Sequence, residues 1–129
     1  MKGTYVLEIM NMQNISIKVG SLGETSFPRG FFSYVGSAMA DSGSATLINR
    51  VRRHLKLRKE KKLHWHIDYL LGAKSTEIIR LILIPSKVRR ECIIAREMAT
   101  LADSSIKAFG SSDCGCESHL FHFKDDMPW

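Results

Sequence analysis

An apolar, aromatic run, FFSYVGS (31–37), ends in a loop of small residues, and the stretch ATLINRVRRHL beyond it carries Arg50, Arg52, Arg53 and His54. A hydrophobic core has no use for this arrangement. A tyrosine at the lip of a strand with guanidinium groups behind it suits the handling of phosphate, because a guanidinium meets phosphate oxygens in a planar fork. For Arg52 and Arg53 a solvated helix face is the competing reading. In HWHID, His64 and Asp68 are four residues apart and share a helical face, as a pair or as the rim of a site. Trp65 is an aromatic of the kind that stacks on a base or packs into a core. The stretch DCGCESHLFH (113–122) groups Asp113, Cys114, Cys116, His119 and His122. Its C-x-C-x2-H-x2-H spacing departs from the usual structural zinc patterns. A turn organised by Ser111 and Asp113 is therefore expected there, with zinc on Cys114, Cys116, His119 and His122 as the alternative.

The elements that must position these residues belong to one domain of 129 residues, long enough to bury its own core. With 44% hydrophobic and 25% charged residues the composition is that of a globular protein. No apolar run approaches the roughly 20 residues of a membrane span, and the N-terminus is too polar after its first residues for a secretory signal. Three cysteines, an odd number, argue against a disulfide framework and for a reducing cytoplasm. A formal charge of +6 and a pI near 9.4 favour anionic partners, nucleic acid first.

Alternation predicts strands over 3–10, 14–20 and 31–37, with NMQN (11–14) as a hairpin turn between the first two and 21–30 as loop. A helix is expected over 45–56, with Leu47, Ile48, Val51 and Leu55 as its apolar stripe and Arg50, Arg53 and His54 on another face. A basic connection, Arg58 to Lys62, leads to a second helix over 63–73 with Leu63, Ile67, Leu70 and Leu71 inward. TEIIRLILIP (76–85) reads as a central strand. A third helix follows over 87–102, then a tight loop at 109–117 and a last strand at 118–123, with Phe121 and Phe123 inward. The order β-β-β-α-α-β-α-β predicts a mixed α/β (α+β) sandwich: a small, largely antiparallel sheet flanked by about three helices.

With these residues laid out, the chain resembles the GIY-YIG nuclease superfamily. GTY (3–5) stands where that family has Gly-Ile-Tyr, YVGS (34–37) stands at its Tyr-Ile-Gly strand, and Arg50 and His54 match the arginine and the His or Tyr four residues on. KKLHWHIDYLL and FGSSDCGCESHLF look like signatures of an archaeal-type branch, some of whose members are fused to DNA-repair glycosylases. Thr4 departs from the family's Ile. The interval between Tyr5 and Tyr34 is longer than usual, as if a hairpin or loop were inserted at about 11–30, and the family's downstream Asn is not evident. The resemblance implies a single GIY-YIG-like domain over 1–129. It implies phosphodiester hydrolysis with Tyr34 as base or proton relay, Tyr5 beside it, Arg50 holding the phosphate, and one metal-binding glutamate on a later helix.

A tyrosine with an ordinary pKa near 10 is a poor base at neutral pH, so Arg50 and His54 are expected to lower it. Helical phase selects the glutamate. At about 100° per residue, Val88, Cys92, Ala95, Ala99 and Ala102 form an inward stripe, widened by Ile94 and Met98. Glu91 falls within it and Glu97 opposite. A buried carboxylate must be paired or bound to a cation, so Glu91 is the candidate ligand for Mg²⁺ (or Mn²⁺), an ion that keeps most of its waters. An ion pair with Arg89, Arg90 or a buried arginine is the other possibility for it. Arg52, Arg53, Arg58, Lys59, Lys61 and Lys62 are expected to line a nucleic-acid path. The expected function is that of a metal-dependent endonuclease on DNA, branched or damaged, in repair or recombination, with a repair glycosylase or other repair protein as partner and no membrane. Two alternatives stand beside it: a catalytically weak binding module of the same fold, and a zinc-stabilised interaction protein.

Overall fold

The computed structural model describes residues 1–56, 63–111 and 114–125. Arg58, Lys59, Lys61, Lys62 and Asp113 lie outside the described residues. The sheet is built on β1 (Gly3–Asn11), which pairs antiparallel with β4 (Gly30–Ala38) on one side and β5 (Thr76–Pro85) on the other. Beyond β4 lie β7 (Leu120–Phe123) and the two-residue β6 (Ser104–Ser105), giving the order β5-β1-β4-β7-β6. Side chains alternate across this sheet. Tyr5, Leu7, Ile9, Phe32 and Tyr34 face a core shared with α1 (Leu47–His54) and α2 (His66–Leu71). Val6, Val35 and Phe121 face a second core with Ala95 and Met98 of α3 (Glu91–Leu101). The fold is thus mixed α+β, with a largely antiparallel sheet between helices, as the element pattern predicts.

The interval between the two sequence tyrosines forms a unit of its own. Strands β2 (Ile15–Val19) and β3 (Gly23–Phe27) pair only with each other as a separate two-stranded sheet. Hence NMQN does not close a β1–β2 hairpin; it leads the chain from one sheet to the next. Residues 23–27, expected as loop, are a strand because Gly23, at φ +74°, turns the chain back on β2. The hairpin's apolar residues Val19 and Phe27 are fully buried in the core, with β2 packed against α2.

Three other expectations shift. β5 is an edge strand, although its apolar run reads as central. Ile78 and Leu81 pack on one core and Ile82 on the other, so it is apolar on two sides while Ile79 and Leu83 stay exposed. In α1, Ile48 and Leu55 are exposed and His54 takes the inward position beside Leu47 and Val51. The helices are also shorter than the periodicity suggests. Leu63 lies outside α2 and is exposed, and α3 starts at Glu91, leaving Val88 exposed ahead of it.

Gly36 is fixed by a close approach. It sits opposite Tyr5 in the β1–β4 register, and a Cβ on it would run into the Tyr5 ring and hydroxyl. Gly36→Ala is expected to destabilise the fold by about 1–3 kcal/mol through overpacking. Urea unfolding should therefore show a lower midpoint at unchanged slope; an unaltered midpoint would mean that the ring yields freely.

Candidate active site

A cleft of about 550 Å³ opens where β4 runs past β7, lined by Tyr5, Tyr34, Arg50, His66, Arg89 and Glu91 among others. These residues come from β1, β4, α1, α2, the segment before α3, and α3 itself. Pairing between β4 and β7 ends at Tyr34↔Leu120, and Gly36 and Ser37 of β4 line the cleft beyond that point. His54 does not line it. It is buried one layer behind, its Nε2 sharing a 2.7 Å hydrogen bond with the Tyr5 hydroxyl.

Tyr5 and Tyr34 are adjacent, with ring centroids 6.4 Å apart, and the His54 ring lies 5.4 Å from Tyr5 and 6.2 Å from Tyr34. Burial, then the neighbouring Tyr34, pushes the Tyr5 hydroxyl well above the ordinary tyrosine range. Arg50 pulls the other way without prevailing. Tyr5 is therefore a neutral phenol at the back of the cleft. Tyr34 keeps an edge at the cleft, and Gly110, at φ +69°, passes close enough that a Cβ there would touch its ring at 3.0 Å.

The cationic wall is held from behind. Arg50 donates from Nη1 to the Ser37 carbonyl at 2.9 Å, and Arg89 donates from Nη1 to the Ser37 hydroxyl at 3.2 Å. The Arg50 and Arg53 guanidinium groups lie over the Trp65 ring, 4.7 and 4.0 Å from its centroid. Trp65 is thus a platform for cations, with His54 on its flank at 5.9 Å. Arg53 is not on a solvated face: its fork meets both oxygens of fully buried Asp68 at 3.1 and 2.9 Å. Asp68 also accepts the backbone N–H groups of His64 and Trp65, which starts α2. Arg52 is exposed, on the outer side of α1.

Glu91, the first residue of α3, is 9% exposed, whereas Glu97 is exposed, as helical phase predicts. Its ionic neighbour is not an arginine but His119 Nδ1, at 3.8 Å. That is long for a hydrogen bond, so among the described residues the carboxylate stands at the cleft without a strong protein donor. Sequence reasoning missed His66 and gave Arg89 only as a partner for Glu91. The His66 Nδ1 accepts the Gly110 N–H at 2.9 Å, which leaves its proton on Nε2, and burial lowers its pKa. At neutral pH it is an uncharged donor at the cleft. The loop histidines separate. His119 is fully buried beside Cys114, Cys116 and Cys92 of α3, while His122 packs on Phe32 and bonds the Arg29 carbonyl at 2.9 Å. Among the described residues, no helix is long and apolar enough to cross a membrane.

These features define an α+β domain with a polar cleft whose walls carry arginine, tyrosine, histidine and a single carboxylate. Residues 4–128 match the model of the domain of unknown function DUF123, and the chain belongs to that family. Neither a curated protein nor a solved structure matches it.

The Arg53–Asp68 pair makes a pH-dependent contribution. Burial alone would raise the Asp68 pKa, but the Arg53 guanidinium and the Trp65 and His64 N–H groups together hold it below the usual carboxylate range. A carboxyl lowered on folding stabilises above its unfolded value of about 3.9, and the gain is lost as pH falls through the folded value. Asp68→Ala should cost about 1–3 kcal/mol at pH 7, by removing the charged acceptor of the Arg53 fork and of two backbone N–H groups. In urea unfolding the gap between parent and variant should narrow at pH 3; an equal gap at both pH values would show that the charge is irrelevant.

Proposed function

We propose that the chain is a divalent-metal-dependent DNA endonuclease of the GIY-YIG type, hydrolysing phosphodiesters in branched or damaged DNA. The observation that carries this reading is the convergence of Tyr34, Arg50 and Glu91 on one cleft from elements remote in sequence. The Glu91 carboxylate fits a one-carboxylate site for Mg²⁺ or Mn²⁺, since it faces the cleft with only a long contact to His119. When bound there, such a cation supplies charge stabilisation at the phosphate and a more acidic water.

This chain's own residues do the rest. Arg50 and Arg89 present guanidinium groups to a phosphate, and their anchoring on Ser37 fixes the distance between them. Tyr34, at the cleft edge, takes the proton of the attacking water as its phenolate and so becomes the phenol, or as the phenol orients that water by a hydrogen bond. Tyr5, its hydroxyl tied to His54 and its pKa pushed up by burial, acts as a neutral post that positions Tyr34 and the end of β4. His66 donates from Nε2 towards the phosphate or the leaving oxygen. The basic composition supports a nucleic-acid substrate, the free cysteines suit a reducing cytoplasm, and a repair glycosylase as neighbour rests on the resemblance alone.

Two measurements test the assignment. Glu91→Gln should abolish Mg²⁺-supported cleavage of labelled flap, branched and nicked substrates while leaving DNA binding intact. Tyr34→Phe should slow cleavage by about 10²–10⁴-fold, and Glu97→Gln, on the exposed face, should change nothing. Cleavage by Glu91→Gln at the parent rate would remove the glutamate from the mechanism. A parent inert on every substrate with either metal would leave the cleft a binding module.

Binding has its own signature. Each neutralised phosphate contributes about −0.7 to −0.9 to the slope of log affinity against log salt. Arg89→Ala should therefore flatten that slope by about one phosphate's worth, read by fluorescence anisotropy. An unchanged slope would take Arg89 out of the DNA path.

A further inference from the structure

Outside the cleft, the densest group of chemically able side chains is Cys92, Cys114, Cys116 and His119. Their ligand atoms all lie within 4.8 Å of one another. Zinc takes thiolate at about 2.3 Å and imidazole at about 2.0–2.1 Å in a tetrahedron, which puts ligand atoms about 3.5–4 Å apart. The cluster is therefore close to closing on an ion by side-chain rotation alone. His119 Nε2 already stands 3.4 Å from Cys114 Sγ. The other ring nitrogen, Nδ1, is buried, makes no hydrogen bond, and points at Glu91 Oε1.

We propose that Cys92, Cys114, Cys116 and His119 bind one zinc ion, and that the bound His119 turns its Nδ1–H to Glu91. The ligand set differs from the sequence pattern in one member. Cys92 comes from α3, some twenty residues upstream, and takes the place that spacing alone gave to His122. Three thiolates and an imidazole make a closed site with no open position, which is a structural site rather than a catalytic one.

The site has a mechanical consequence. It ties the second residue of α3 to the loop that leads into β7, and so fixes the helix end that carries Glu91. Metal-bound histidine commonly donates its remaining N–H to a carboxylate, which fixes ring orientation. Here that donation occupies one Glu91 oxygen and leaves the other for the cleft. As bare thiols the cluster has an opposite tendency: burial pushes the Cys114 thiol up against the lowering hydrogen bonds of Cys116, and burial with the neighbouring Cys92 and Cys114 sulfurs pushes the Cys116 thiol up to about 12. Zinc reverses this, since it binds the thiolates and releases their protons. The zinc site holds whether or not the cleft is a nuclease, and its test reads no cleavage.

The test is elemental analysis and zinc K-edge absorption on the parent protein purified without chelator from zinc-supplemented cells. Equimolar zinc is expected, with a shell of three sulfurs at about 2.3 Å and one nitrogen at about 2.0–2.1 Å. Cys92→Ser should lose zinc or fit with one sulfur fewer, and His122→Gln should keep the parent spectrum. Glu91→Gln should weaken zinc binding about 10–100-fold in a chelator competition, the usual scale for losing a carboxylate behind a metal-bound histidine. Parent protein without zinc, or with two of its cysteines joined as a disulfide, would overturn the site. A two-sulfur, two-nitrogen shell, or a Cys92→Ser protein with the parent spectrum, would overturn the ligand set. Glu91→Gln binding zinc as tightly as the parent would overturn the link to Glu91.

Discussion

The contact on which the arrangement depends is the buried hydrogen bond between Tyr5 and His54, made over the bare backbone of Gly36. It joins β1 to α1 through side chains that water does not reach. Breaking it would take from the buried Tyr5 hydroxyl its hydrogen-bond partner, a loss larger than a typical net hydrogen bond. Because Tyr5 lies flat against Gly36, the next tyrosine along the same face, Tyr34, is held at the cleft edge. Because His54 is turned inward, Arg50, one helical turn earlier, reaches round to the strand end at Ser37. The two aromatic residues of the sequence motif thus have different jobs: one is a buried post and the other faces the opening.

Cations are placed by the same economy of contacts. Trp65 receives two guanidinium groups on its ring, and Asp68 takes the fork of one of them. Arg53 is thereby committed to holding α1 against α2, and Arg50 and Arg89 carry the charge into the cleft. Arginine stacks and forks in ways lysine does not, so an exchange to lysine at either Trp65-facing position would not be conservative. The hairpin β2–β3 closes the core beneath α2 and contributes no residue to the lining described here, which lets it lengthen the interval between Tyr5 and Tyr34 without disturbing the cleft.

Much of this was legible in the residues. Alternation in GTYVLEIM and FFSYVGS located the two central strands, and helical phase separated Glu91 from Glu97, because burial on one face leaves a periodic trace. What periodicity could not convey was the role of a polar residue in an inward position. His54 was assigned to the arginine face because it is polar, and the apolar Ile48 and Leu55 were placed inward; a pairing between residues 49 apart overrides both. β5 misled for a related reason, since an edge strand caught between two cores is as apolar as a central one. Cys92 and His66 had no local signal, as their neighbours in space come from the loop 109–119. Arg89 had one, its place just ahead of Glu91, but nothing in the spacing showed that it would cross to Ser37.

The account turns on one claim, that the cleft between Tyr34, Arg50 and Glu91 receives a phosphodiester together with a divalent cation. Crystals of the protein with a bound oligonucleotide, soaked in Mn²⁺ and measured for anomalous scattering, test it most directly. The account predicts a Mn²⁺ peak at one Glu91 oxygen, with a backbone phosphate between that ion and the Arg50 guanidinium. An oligonucleotide running over another face, or a cleft that holds nucleic acid with Mn²⁺ bound away from Glu91, would contradict it.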